Sequence, residues 1–207
     1  MRGFYAIVDP EHCAGRDARA VGEAILRGGC AILQLRAKRL DDEAFVALGS
    51  ELAVLCRTHG VPLVVNDRVQ LATRIGADGV HVGQTDLPIE EARTHLGSHV
   101  MISVSTHTPE QAVEAERRGA DGIGFGPVFA TRTKDNPDEV VGLHQLGLVC
   151  ARASIPVIAI GGITAATAPE IRHAGAKLGA AISAVCGAAD PEAAARELHS
   201  MLGGVRK

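Results

Sequence analysis

Three polar side chains, Gln34, Arg36 and Lys38, stand at alternate positions at the end of the apolar run "ILQLRAK". With a side-chain period of two, a strand here turns Ile32, Gln34 and Arg36 to one face and Leu33 and Leu35 to the other. Arginine offers a two-pronged fork to phosphate oxygens and lysine a point charge. Arg36, Lys38 and the Lys134 of "ATRTKDN" therefore suit a diphosphate that leaves during a reaction. Two carboxylates, Asp67 in "VVNDR" and Asp86 in "VGQTDLP", suit a hard divalent cation held by oxygen with several waters retained, the behaviour of Mg2+ in diphosphate sites. Asn66 and Ser105 add neutral donors. The "IGGIT" turn at 160–164 and the small "AIS" end at 181–183 are expected to bind a second phosphate on backbone N–H groups.

The elements that must position these groups are legible as alternating runs. Short stretches rich in Val, Ile and Ala recur at 4–8, 31–36, 62–65, 78–82, 100–105, 121–125, 156–160 and 178–183. Between them lie helical segments such as "RDARAVGEAILRGG", "DDEAFVALGSELAVLCRTHG" and "TPEQAVEAERRG". Several end at Gly, where a left-handed cap needs no Cβ, and Asp41 and Thr108 are placed to cap two N-termini. Near-continuous apolar strands indicate a parallel sheet buried on both faces, and eight strand–helix units close a single-domain (β/α)8 TIM barrel over residues 1–207. A doubly wound open sheet is the alternative. In the barrel, catalytic groups belong at the C-terminal ends of the strands, which is where the polar residues fall.

Composition narrows the partners. A net charge of -3 supplies no basic field for nucleic acid, and no stretch is apolar for long enough to span a membrane. The N-terminal apolar run is too short for a signal peptide. Five scattered cysteines without a CxxC pair read as buried reduced thiols, indicating a cytoplasmic protein. A homo-oligomer is compatible with all of this.

Several residues admit two readings. Arg36 and Lys38 alone would be a solvated strand end, Asp67 alone the N-cap of the next helix, and Thr131 and Thr133 ordinary loop residues; gathered at one rim, they favour a site. His81, alternating inward in "DGVHV", is either a catalytic group or a hydrogen-bonded barrel histidine, and His107 reads as a structural partner near the end of strand five. In "GIGFGP" the proline ends any dinucleotide fingerprint. The loop 127–141 is long and polar, and is expected to close over the site against water.

Taken in order, "QLRAK", "VPLVVNDR", "GADGVHVGQTDLP", "SVSTHT", "GPVFATRTK" and "IPVIAIGGIT" resemble the signature segments of the thiamine-phosphate synthase family over nearly the whole chain. The resemblance implies a (β/α)8 barrel that joins 4-amino-2-methyl-5-(diphosphooxymethyl)pyrimidine to a thiazole phosphate, releasing pyrophosphate. It also implies roles by position. Gln34, Leu35, Arg36, Ala37 and Lys38, with Asn66 and Ser105, would hold the pyrimidine diphosphate, and Asp67 and Asp86 would hold Mg2+. Thr131, Arg132, Thr133, Gly162, Ile182 and Ser183 would bind the thiazole phosphate, and Lys134 would contact the pyrophosphate. Arg36, Lys38, Ser105 and Lys134 would carry the catalysis. Two segments depart from the family pattern, "YAIVDPEHC" after strand one and Lys177-Leu178 before strand eight, neither at a site position. Two rival functions are a metal-free thiazole tautomerase of the same fold and a catalytically silent ligand-binding barrel. The related tautomerases carry a proton-transferring His where this chain has Pro127.

Overall fold

The computed structural model of the chain describes residues 1–131, 133 and 139–205. Eight parallel strands close into a barrel in sequence order: β1 (Gly3–Val8), β2 (Ile32–Leu35), β3 (Leu63–Asn66), β4 (Gly79–Val82), β5 (Met101–Thr106), β6 (Gly122–Phe125), β7 (Val157–Ile160) and β8 (Leu178–Ala181). β8 pairs back on β1, which rules out the open sheet. Around it lie α1 (Ala18–Gly28), α2 (Asp42–His59), α3 (Val69–Ile75), α4 (Ile89–Leu96), α5 (Pro109–Arg117), α6 (Gly142–Arg152), α7 (Ala168–His173), α8 (Ser183–Cys186) and α9 (Pro191–Met201). Asp41 and Thr108 cap α2 and α5 by accepting from Ala44 N and Gln111 N, and Gly60 ends α2 in the left-handed conformation. The spacing predicts all three.

Alternation divides the apolar side chains into two layers. Leu33 and Leu35, with Val65, Val80, Ile102 and Ile123, face outward and fill the space between sheet and helices. Each such buried side chain contributes about 2 kcal/mol through water exclusion. Ile32 turns inward and meets Tyr5, Ile7, Val64, Ile158, Leu178 and Ala180 in a small inner cluster. This cluster fills only part of the barrel, leaving the mouth to polar groups.

Two strands end short of the expectation. β2 stops at Leu35, although the N–H of Arg36 continues the ladder by bonding to Val8 O at 2.9 Å. β8 stops at Ala181, and Ile182 (φ -111°, ψ -80°) turns the chain directly into the short α8. The apolar character of "LGAAIS" marks burial, which a helix start against the barrel requires as much as a strand does. All five cysteines are unpaired; Cys13, Cys30, Cys56 and Cys186 are buried and Cys150 is half-buried.

Candidate functional site

The ends of β1 and β2 bring the first cation into place. The Arg36 guanidinium donates to the carboxylate of Asp9, which is fully buried just beyond β1. Asp9 also accepts from Glu11 N at 3.1 Å and faces His12 Nδ1 at 3.4 Å. The departure in "YAIVDPEHC" thus carries Asp9, which is not itself a predicted site position but holds one, Arg36. An acidic residue one position after a buried strand was the available signal. Gln34 lies inside the barrel and donates from Nε2 to the Tyr5 phenol at 2.8 Å. The side chains of Leu35 and Ala37 are buried in the outer layer, so they offer a ligand in the mouth only their backbone.

β3 and β4 contribute the carboxylates. Asp67 adopts φ 60°, a left-handed conformation that Asp tolerates better than most residues. The N-cap of α3 is Arg68 and makes no side-chain cap bond, so Asp67 is not the helix cap of the alternative reading. Lys38 Nζ stands 3.5 Å from Asp67 Oδ2, and Asp86 folds back to accept from Gly83 N at 2.6 Å. Burial, then the nearby charge of Asp86, pushes the Asp67 carboxyl above its ordinary range, with Lys38 pulling the other way. Two facing carboxylates of this kind gain from a shared cation.

Their donor set is oxygen alone, and among the described residues no group of three or more His, Cys, Asp or Glu side chains gathers into a metal cage. This fits Mg2+, which prefers one or two carboxylates plus water and phosphate oxygens. Asn66 adjoins Asp67, half-buried and in register with His81.

Arg68, the last residue of "NDR", was not singled out from the sequence. It donates to the carbonyls of Ala37, Lys38 and Leu40, and its guanidinium lies 4.6 Å from the centre of the Phe45 ring. It thereby fastens the loop that carries Lys38. A recess of about 210 Å³ lies between these two loops, lined by Ala37, Lys38, Phe45, Asn66, Asp67 and Arg68.

Inside the barrel His81 spans two hydroxyls, with Nδ1 2.8 Å from Ser103 Oγ and Nε2 2.8 Å from Ser105 Oγ. Burial brings its pKa down to about 4 against the opposite pull of Asp86, so the ring is neutral at physiological pH. A hydrogen-bonded barrel histidine describes this geometry. A Cβ at Gly124 would stand 2.9 Å from the ring carbon of His81, so only glycine there lets the imidazole lie across the barrel. His107 bonds through Nδ1 to Gly126 O at 2.7 Å, and its own N–H meets Gln111 Oε1 at 2.7 Å, as a structural partner does.

On the opposite side of the mouth, Thr133 N lies 3.3 Å from Thr131 Oγ1 and Thr133 Oγ1 is 3.2 Å from Ser183 Oγ. Ile182 precedes Ser183 at the α8 turn. Gly162 follows β7 with φ 65°, and a Cβ there would stand 2.7 Å from Phe129 Cβ, so both conformation and space require glycine. Arg132 and Lys134, with residues 135–138 of the loop expected to close over the mouth, lie outside the described residues.

A closed parallel barrel with cations, carboxylates and hydroxyls at the C-terminal strand ends defines a (β/α)8 protein whose mouth suits anionic ligands. The thiamine monophosphate synthase family matches residues 4–185. A thiamine-phosphate synthase of Natronomonas pharaonis is 45% identical over 205 residues, covering 98% of this chain and 96% of the relative. One from Chloroflexus aurantiacus is 43% identical, covering 96% and 92%. The thiamine phosphate pyrophosphorylase structure from Pyrococcus furiosus superposes with a TM-score of 0.89 at 34% identity, covering 97% of this chain and 95% of that one. The chain belongs to the thiamine monophosphate synthase family.

Proposed function

We propose that the protein condenses 4-amino-2-methyl-5-(diphosphooxymethyl)pyrimidine with a thiazole phosphate, forming thiamine phosphate and pyrophosphate with Mg2+ bound. The observation that carries this reading is the approach of Lys38 to Asp67 and of Asp67 to Asp86 across three strand ends, with Arg36 held by Asp9 two residues before Lys38. Near-full-length likeness to thiamine-phosphate synthases supports it. Arg36, held by Asp9 with further N–H groups to offer, would grip the diphosphate, and Lys38 would add charge. Asp67 and Asp86 would hold Mg2+, whose role when bound is to neutralise diphosphate oxygens. Ser105 and Asn66 would orient the pyrimidine end. Thr131, Thr133, Gly162 and Ser183 would seat the thiazole phosphate, presenting its ring nitrogen to the pyrimidine methylene.

The bond to be broken joins that methylene to the diphosphate oxygen, and the electron-rich aminopyrimidine spreads the positive charge left behind. No side-chain nucleophile is required; positioning and stabilisation of the leaving group supply the rate. The five unpaired thiols support a reducing compartment such as the cytoplasm. Among the described residues no helix is long and apolar enough to cross a membrane.

The metal-free tautomerase reading lacks a proton carrier at Pro127 and leaves Asp67, Asp86, Arg36 and Lys38 without a joint task. The test is pyrophosphate release from the pure protein with both substrates and Mg2+. Release that needs all three is expected. Isomerisation of the thiazole phosphate alone, without metal and without thiamine phosphate formation, would overturn the assignment.

A further inference from the structure

Two runs of hydrogen-bonded polar side chains lie inside the barrel beneath the mouth. In the first, Gln34 Nε2 donates to the Tyr5 phenol oxygen at 2.8 Å. The second joins Ser103, His81 and Ser105. Ser103 Oγ stands 2.8 Å from His81 Nδ1 and donates to the carbonyl of Val80 at 3.3 Å. His81 Nε2 completes the run at Ser105 Oγ, 2.8 Å away. Gln34 and Ser105, two groups assigned above to the pyrimidine side of the mouth, are thus each held from inside the barrel. Their inner anchors, Tyr5 and Ser103, are buried, at 2% and 8% exposure.

Hydrogen counting sets the direction of the second run. Ser103 has one hydrogen, and Val80 O takes it. The Ser103 oxygen can then only accept from His81, which places the imidazole hydrogen on Nδ1 and leaves Nε2 bare to accept from Ser105. The opposite tautomer would redirect the Ser103 hydrogen to Nδ1 and leave the Val80 contact without a donor. It makes one hydrogen bond fewer in a buried site, where each matters.

We propose that His81 is held as the Nδ1–H tautomer and that Ser103 and His81 are positioning residues that spend the Ser105 hydrogen inside the barrel, so that Ser105 faces the mouth as an acceptor. Tyr5 polarises Gln34 in the same sense, because the Gln34 amide nitrogen is the end bound to Tyr5 and its Oε1 is the end left for a ligand. Two acceptors select an exocyclic amino donor over a carbonyl oxygen at the same ring position. The mouth therefore prefers an amino-substituted pyrimidine to its oxo counterpart, a specificity that rests on the reaction proposed above.

Two measurements test this. Nitrogen-15 NMR of histidine-labelled protein, with His81 identified by the spectrum of His81→Asn, is expected to show hydrogen on Nδ1; hydrogen on Nε2 would overturn the proposal. Titration calorimetry would compare 4-amino-5-hydroxymethyl-2-methylpyrimidine with its 4-oxo analogue. The wild type is expected to favour the amino ring, and Tyr5→Phe and Ser103→Ala to reduce that preference about tenfold, the worth of one buried hydrogen bond. Ser103→Thr keeps the hydroxyl, has room because Gly122 stands opposite, and is expected to restore the preference. A purely structural role would shift both affinities together. An unchanged ratio in the variants, or a wild type that binds neither ring or does not distinguish them, would therefore also overturn the proposal. The tautomer is read without substrate, so pyrophosphate release can fail while the Nδ1–H finding stands, and the two failures are distinguishable.

Discussion

Asp9 and Arg36 are 27 residues apart in the chain and form an ion pair at the mouth of the barrel, the carboxylate fully buried and the guanidinium 17% exposed. The pairing fixes one edge of the guanidinium and aims the rest at the space above the strand ends. A lysine here would reach Asp9 with a single point charge and could not also present a fork. Arg36→Lys is therefore expected to lower kcat/KM tenfold to hundredfold, about 1.4–2.7 kcal/mol of transition-state stabilisation. Asp9→Asn, which keeps an acceptor for Glu11 N, should lose activity in the same direction. Steady-state kinetics on both variants checks this, and wild-type values for Arg36→Lys would place Arg36 outside the site.

Asp67 is suited to an isosteric test, because asparagine accepts the left-handed backbone at this position as readily as aspartate. Asp67→Asn is expected to abolish most activity, by a hundredfold or so, while the melting temperature moves by only about 2 °C, because the change keeps the shape and removes a charge that burial and Asp86 already disfavour. Chelation of the wild type by EDTA should have the same effect, with recovery on adding Mg2+. Full activity in EDTA would remove the metal from the mechanism.

Gly162 tests the opposite side of the mouth. At φ 65°, with Phe129 Cβ within 2.7 Å of any added methyl, Gly162→Ala forces the turn after β7 to shift. The expected cost is about 1–3 kcal/mol of stability. If the turn holds the thiazole phosphate, KM for that substrate should rise while KM for the pyrimidine diphosphate stays. Equal effects on both would place the phosphate elsewhere.

Stability should depend on pH through His199, which is buried and accepts from Phe4 N through Nδ1 at 3.2 Å. Burial holds its pKa below the ordinary value, a backbone hydrogen bond to Val205 opposing this. The unfolded chain thus binds a proton that the folded chain refuses, so the contribution of His199 is complete above about pH 6.5 and lost as pH falls below it. Urea unfolding from about pH 7 to about pH 5 should show a declining midpoint in the wild type and a shallower decline in His199→Gln. Parallel slopes would exclude His199 as the source.

The positions of the eight strands, the helix caps at Asp41 and Thr108, and the inward turn of Ile32 and Gln34 were legible in the sequence. They rest on local physics: a strand covered on both faces must be apolar along its length, and an N-cap side chain accepts from a backbone N–H within three residues of it. The polar residues at the strand ends were legible for the same reason, as interruptions of a buried run. Asp9 against Arg36, Arg68 fastening the Lys38 loop, Gln34 against Tyr5, and the run from Ser103 through His81 to Ser105 were not. Each joins residues from different strand ends, and such distances are set by closure of the barrel, with β8 returning to β1. The sequence by itself determined that Gln34, Arg36, Asn66, Asp67 and Ser105 lie at the C-terminal strand ends. Only the tertiary structure decided which of them touch, because hydrogen-bond direction and ion pairing depend on separations of a few ångströms that spacing along a chain does not encode.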